Sequence, residues 1–256
     1  METMQLHIQG VSIGYGPKIL HSGLEASVHS GQILAVLGLN GSGKSTLIRT
    51  ISGLDKPIAG GISLDAMPVH TMHAQERAKC ISVVLTGRDQ VIPSLRVFEI
   101  LQSARAPYTG ALHMLREDDK RILSEVAQWT GIEMYLNRAL YALSDGEAQK
   151  VFIARALVQD TPVILLDEPT SHLDIIRKWE IYALLQQIAA QGKIIVCATH
   201  DVEHALHIAQ HCLLLQAGGE HVLGATEDLI RSGTITSWFK GPAVHFDTTS
   251  RRFIFR

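Results

Sequence analysis

The sequence is short of cysteine. Its three, Cys80, Cys197 and Cys212, are an odd number at wide spacing, which suits neither a disulfide framework nor a zinc site. Cys197 sits inside an apolar run and reads as an ordinary core residue. Long apolar runs are missing as well. Val163 to Leu166 and Ile194 to Ala198 fall far short of the roughly 20 residues that a membrane-spanning helix needs. The opening METMQLHIQG has neither a basic nor an apolar stretch, so no secretory signal is read there and a soluble, cytoplasmic chain is expected. There is no long lysine and arginine run and the formal net charge is −2, so nucleic acid is not expected as a partner. Internal repeats and low-complexity segments are also lacking.

What is present is a globular composition, 46% hydrophobic and 19% charged over 256 residues, enough for one sizeable α/β domain carrying an inserted lobe. Residues 5 to 37 alternate apolar and polar positions around turn signals at Gly14 and Gly16, which reads as antiparallel strands. The apolar strand Ile33 to Leu37 then enters a glycine-rich loop. Beyond the loop Leu47, Ile48, Ile51 and Leu54 share a helical face, with Gly53 near the helix end. Residues 89–157 read as a helical lobe, with Ile122, Leu123, Val126 and Trp129 on one stripe and Val151, Phe152 and Leu157 on another. Strands return in VILLDE and KIIVCATH, separated by a helix on which Trp179, Tyr182, Leu185 and Ile188 recur. Strand alternating with helix predicts a parallel sheet with its chemistry at the strand carboxyl ends. The expected division is a core of residues 1–88 and 158–235, the lobe between, and a tail, 236–256, in which VHF and FIF could form a hairpin.

Gly38 to Thr46, GLNGSGKST, fits the G-x-x-x-x-G-K-[ST] pattern and lies between a predicted strand and a predicted helix. Glycines at 38, 41 and 43 let the backbone curl so that successive N–H groups face one anion, and the helix adds its positive end. Asn40, Gly41, Ser42, Gly43 and Thr46 belong to this cradle. Lys44 is placed for the β- and γ-phosphates of a nucleotide and Ser45 for Mg²⁺. In VILLDEPT an apolar strand delivers Asp167 and Glu168 together at its carboxyl end. Asp167 suits magnesium, which takes oxygen ligands and keeps waters. Glu168, next in the strand and pointing the other way, suits orientation or deprotonation of an attacking water. His200 ends a further strand and is placed beside the γ-phosphate.

Together these residues resemble the ATP-binding subunits of ABC transporters over roughly residues 5 to 235. The resemblance implies an α/β P-loop NTPase core with an N-terminal antiparallel β subdomain and an inserted α-helical lobe. It implies an ATPase using ATP and Mg²⁺, peripheral on the cytoplasmic face of the membrane. Its partners would be a second copy of itself, integral membrane permease subunits and, indirectly, a substrate-binding protein. In that family Leu143 to Glu147, LSDGE, stands for the signature LSGGQ. By itself Ser144 with Glu147 three residues on is a capping box. As signature, Ser144 and Gly146 would face the γ-phosphate held by the opposite copy. Tyr15 would stack on adenine, although it fits equally an aromatic covering a core edge. Ser171 to Asp174, SHLD, would be the D-loop.

Two departures from the family pattern stand out. Thr86 occupies the register of the usual Gln after Ile81 to Leu85 and would reach the metal through a water, with Gln90 the other choice. Asp145 replaces a glycine and brings negative charge near an incoming phosphate; an acid at a helix start favours the resting monomer. The stretch ARAPYTG (Ala104 to Gly110) and PTSHLD resemble importers of iron-siderophore complexes, haem and cobalamin. The competing reading is a soluble ABC ATPase uncoupled from transport, such as a cluster-assembly factor. A third class, a zinc protein, is suggested by His200, His204, His207, His211 and Cys212 if they share one helical face.

Overall fold

The computed structural model describes residues 4–85, 92–109 and 114–255. The chain opens with β1 (Gln5–Tyr15) and β2 (Lys18–His29), paired antiparallel. Their period of two turns Leu6, Ile8, Val11, Ile13, Leu24 and Val28 inward. β3 (Ile33–Leu37) leaves this layer, and β4 (Ala59–Leu64) returns to pair with β1, followed by the two-residue β5 (Met67–Pro68). The first sheet has the order β2-β1-β4-β5.

The second sheet combines β3 with β6 (Ile81–Val84), β7 (Val163–Asp167), β8 (Ile194–Thr199), β9 (His211–Leu215) and β10 (His221–Ala225) in the order β10-β9-β3-β8-β7-β6. All its pairings are parallel except β9 with β10. Every residue of β3, β7 and β8 is buried, because both faces of the sheet are covered and a strand there has no solvent side to keep polar. One face packs against β1, β2 and α1 (Lys44–Ile51). The other packs against α7 (Ile175–Ala190) and α8 (Val202–Ile208). On α1 the buried side chains include Leu47, Ile48 and Ile51, each contributing about 1.5–3 kcal/mol by leaving water. Leu54, expected on the same face, lies past the helix end and is exposed.

α2 (Ala74–Cys80) precedes β6. Between β6 and β7 run α3 (Val97–Ser103), α4 (Ala106–Thr109), α5 (Glu117–Thr130) and α6 (Asp145–Val158); α3, α5 and α6 share an apolar core of Val97, Ile100, Leu101, Leu123, Ala127, Val151 and Val158, among others. The expected stripe on α5 is only partly right. Leu123 and Ala127 are buried in that core and Val126 packs against it, whereas Ile122 and Trp129 line a cleft of about 400 Å³ with Val126, Leu157, Asp160 and Lys193, away from the phosphate loop. Arg105, within ARAPYTG, is buried: its Nε donates to Asp119 Oδ1 at 2.7 Å, its Nη1 to the Val158 carbonyl at 2.9 Å, and its guanidinium lies 3.9 Å from the Tyr108 ring centroid. Burial alone would raise the Asp119 carboxyl, but the Arg116 amide and the Arg105 guanidinium hold it below its usual range.

After β10 come α9 (Thr226–Arg231), α10 (Thr234–Trp238) and an antiparallel pair, β11 (Val244–Asp247) with β12 (Arg252–Phe255). Phe246 and Phe253 seat this pair on the α7/α8 side of the sheet, and the Phe253 amide donates to Glu203 Oε1 at 2.6 Å. Among the described residues no helix is long and apolar enough to cross a membrane.

Candidate active site

The phosphate loop is where β3 hands over to α1. Gly38 must be glycine because a Cβ there would come within 2.3 Å of the Leu215 carbonyl oxygen. Gly43, at φ 98°, holds the left-handed conformation that starts α1. This helix start has no side-chain cap and no acidic residue in its first turn. Its orphan N–H groups and dipole are therefore arranged for an external anion. The buried Lys44 ammonium donates to the carbonyls of Gly38 at 2.9 Å and Leu39 at 3.2 Å, and lies 3.3 Å from Glu168 Oε1. Ser45 Oγ donates to Asp167 Oδ1 at 3.0 Å. Tyr15 and Thr46 join their hydroxyls across the mouth, and Tyr15 is 57% exposed.

Glu168 is not the next residue of the strand. β7 ends at Asp167, and Glu168 takes φ 49° with its amide bonded to the Ala198 carbonyl at 2.8 Å. This left-handed turn, uncommon for a residue with a side chain, aims the carboxylate by backbone strain rather than by strand alternation. Its Oε2 accepts from His200 Nδ1 at 2.7 Å, from the His200 amide at 3.3 Å and from Thr199 Oγ1 at 3.4 Å. One carboxylate thus spans Lys44 on one side and His200 on the other.

A cavity of about 400 Å³ lies over these groups, lined by Tyr15, Asn40, Gly41, Gly43, Lys44, Ser45, Thr46 and Glu168, with Lys18 and Leu20 besides. Lys18 and Leu20 were not singled out from the sequence; they follow the Gly16 turn, where the strand pattern gives no hint of a ligand. Ser42 is buried and turned away from the mouth. Thr86 and Gln90 lie outside the described residues.

Ser144, Gly146 and Asp174 do not line this cavity. Ser144 caps α6 and forms the reciprocal box with Glu147: the Ser144 amide donates to Glu147 Oε2 at 2.8 Å, and Ser144 Oγ accepts from the Glu147 amide at 3.4 Å. The Ser144 amide, and after it the Tyr135 and Ser144 hydroxyls, hold the Glu147 carboxyl below its usual range. Asp174 caps α7 through the Arg177 amide at 2.9 Å. A Cβ on Gly146 would lie 3.4 Å from the Arg177 side chain, so the first turns of α6 and α7 lie side by side.

The histidine stripe is broken. α8 covers only Val202–Ile208, so His200 precedes it and His211 opens β9. His204 is buried between Trp179 and Tyr182 with its Nδ1 on Asp201 at 2.6 Å, and His207 Nδ1 donates to the Glu203 carbonyl at 2.7 Å. Cys212 meets the Thr226 hydroxyl instead. Among the described residues no three His, Cys, Asp or Glu side chains form a metal-holding group.

A family model described as ABC transporter matches residues 21–171, more than half of the chain. The iron(3+)-hydroxamate import ATP-binding protein of Bacillus subtilis is 34% identical over 83% of this chain and 79% of its own. A solved inward-facing transporter described as of metal-chelate type superposes with a TM-score of 0.80 at 27% identity, covering 92% of this chain and 88% of that one. A bacterial ABC transporter cassette solved as a dimer gives 0.74 at 27% identity, covering 86% and 98%.

Proposed function

The chain belongs to the ABC transporter family, as an ATPase of the importer type, and from that premise we propose that it is the ATP-driven motor of an importer for iron-siderophore complexes, haem or cobalamin. Two copies would meet head to tail at the cytoplasmic face of the membrane, docked on integral permease subunits, with a substrate-binding protein delivering cargo to those subunits. The observation that carries the reading is the ion pair of Lys44 with Glu168 at 3.3 Å, with Glu168 held from behind by His200 at 2.7 Å.

The residues fit both ATP and Mg²⁺. Ser45 Oγ and Asp167 Oδ1, 3.0 Å apart, are two hard oxygen donors of the kind magnesium takes while keeping waters. Mg²⁺, when bound, supplies charge neutralisation on the phosphate oxygens. Tyr15 offers its face to adenine, and the uncapped start of α1 with Lys44 takes the phosphates. Contact with a polyphosphate gives Lys44 a stronger partner than the two loop carbonyls and frees Glu168 Oε1 to accept a proton from water. His200 keeps the other oxygen fixed, so the carboxylate is oriented during the transfer.

The same cavity lacks Ser144 and Gly146 of its own chain. In the proposed dimer the opposite copy presents them to the γ-phosphate, and Asp174 lies in the turn beside them. Closing then depends on nucleotide, because ATP binds the closed pair better than the open one. Phosphate release by the purified chain, compared with its Glu168→Gln and Lys44→Ala variants, tests the assignment. Turnover unaffected by either change would end it.

A further inference from the structure

His21 lies on β2, outside the glycine-rich motif, at an inward position otherwise suited to an apolar side chain, and is 1% exposed. Its Nε2 is 2.7 Å from the carbonyl oxygen of Ser42, in the middle of the phosphate loop. A carbonyl can only accept, so Nε2 carries the proton. The other nitrogen, Nδ1, is buried with no hydrogen-bond partner among the described residues, so this one bond ties the ring's polar atoms to the protein. The ring is wedged in place. A Cβ on Gly43 would lie 3.2 Å from its Cδ2, and the His221 ring meets it edge-on with centroids 6.0 Å apart.

We infer that His21 is a positioning residue that aims the Gly43 amide at the nucleotide phosphates. The C=O of Ser42 and the N–H of Gly43 belong to one planar trans peptide, so they point in opposite directions. Holding the carbonyl back toward β2 turns the amide forward, toward the cavity that Gly43 lines with Lys44. Gly43 sits at φ 98°, where glycine can rotate readily, so the peptide needs an external tether to stay in one orientation. An amide already aimed at a phosphate costs no reorganisation when the anion arrives. This inference rests on the reading of the loop as an ATP site.

The test is a calorimetric titration of the full chain with MgATP, alongside thermal unfolding, for the parent and for His21→Leu, His21→Gln, His21→Asn and Lys44→Ala. Glutamine can place an amide N–H near the position of Nε2, whereas asparagine is too short to reach the carbonyl. His21→Leu and His21→Asn should weaken MgATP binding about tenfold, the scale of one hydrogen bond to a charged group, while His21→Gln stays within about threefold of the parent. Equal affinity of the Gln and Asn variants overturns the inference, as does parent-like binding by the Leu variant. If His21→Leu does not fold, the Gln and Asn pair decides alone. Parent binding that Lys44→Ala weakens and no His21 variant alters leaves the ATP site standing and removes His21 from it. A parent that does not bind MgATP brings down both.

Discussion

The starts of α1 and α6 are two helix ends that carry the same dipole and are finished in opposite ways. At α1 the chain leaves the end bare: a left-handed glycine, no capping side chain, no acid in the first turn, and a lysine folded over the loop. At α6 the chain closes the end on itself, with Ser144 and Glu147 bonded reciprocally and Asp145 and Glu147 in the first turn. An anion is therefore invited at α1 by the single chain, whereas at α6 it has to compete with a carboxylate already in place. The contrast teaches that one helix dipole can be left open while another is satisfied internally; in the proposed dimer the second would be used only when a phosphate displaces the cap.

Several substitutions put that contrast under strain, beginning with the acid beside α1. Glu168→Gln should lower phosphate release by about 10² to 10⁴-fold while leaving ATP binding intact, the range for loss of a general base. Trapping of ATP in a long-lived closed dimer is the accompanying readout. Lys44→Ala should weaken nucleotide binding itself, by about 10 to 100-fold, through loss of a charge-assisted contact. Binding unchanged in that variant would show that α1 has no special claim on phosphate. At α6, Ser144→Ala should cost about 0.5–2 kcal/mol in thermal or urea unfolding, as for any lost N-cap. Turnover should fall too, while ATP binding by the monomer persists; turnover equal to the parent would leave Ser144 as a cap alone.

The smallest effect is the acid dependence of the α6 cap. Glu147 has its folded value lowered, so the stability it adds is fully present above the unfolded glutamate value of about 4.3 and is lost as pH falls through the folded one. Unfolding curves between about pH 5 and 3 should lose that component in the parent and not in Glu147→Gln. Equal slopes for the two proteins would mean that the capping box contributes nothing measurable.

The phosphate site was legible because its grammar is local: strand, glycines at fixed offsets and lysine lie within a dozen residues, and the acids follow another strand directly. Less local features were misread or missed. The period of His200, His204, His207 and His211 suggested one helix face, but residue 210 is captured by β3, its amide donating to the Ile33 carbonyl at 3.2 Å and its Oε1 accepting from the Ile33 amide at 2.8 Å. A tertiary pairing thus ends the helix before the fourth histidine. The orientation of Glu168 escaped strand reasoning because it depends on a left-handed residue that no pattern announces. His21 looked like part of an alternating strand; only its contact with Ser42, 21 residues on, shows otherwise.

The stretch ARAPYTG, read at first for family likeness, has a mechanical meaning. Arg105 grips Asp119 on α5, the Val158 carbonyl at the far end of α6 and the ring of Tyr108 with a single guanidinium. α6 is 14 residues, a rod about 21 Å long, with Arg105 clamped at one end and Ser144 at the other. The helix thus spans the distance between the Arg105 cluster at its far end and the capping box at its start.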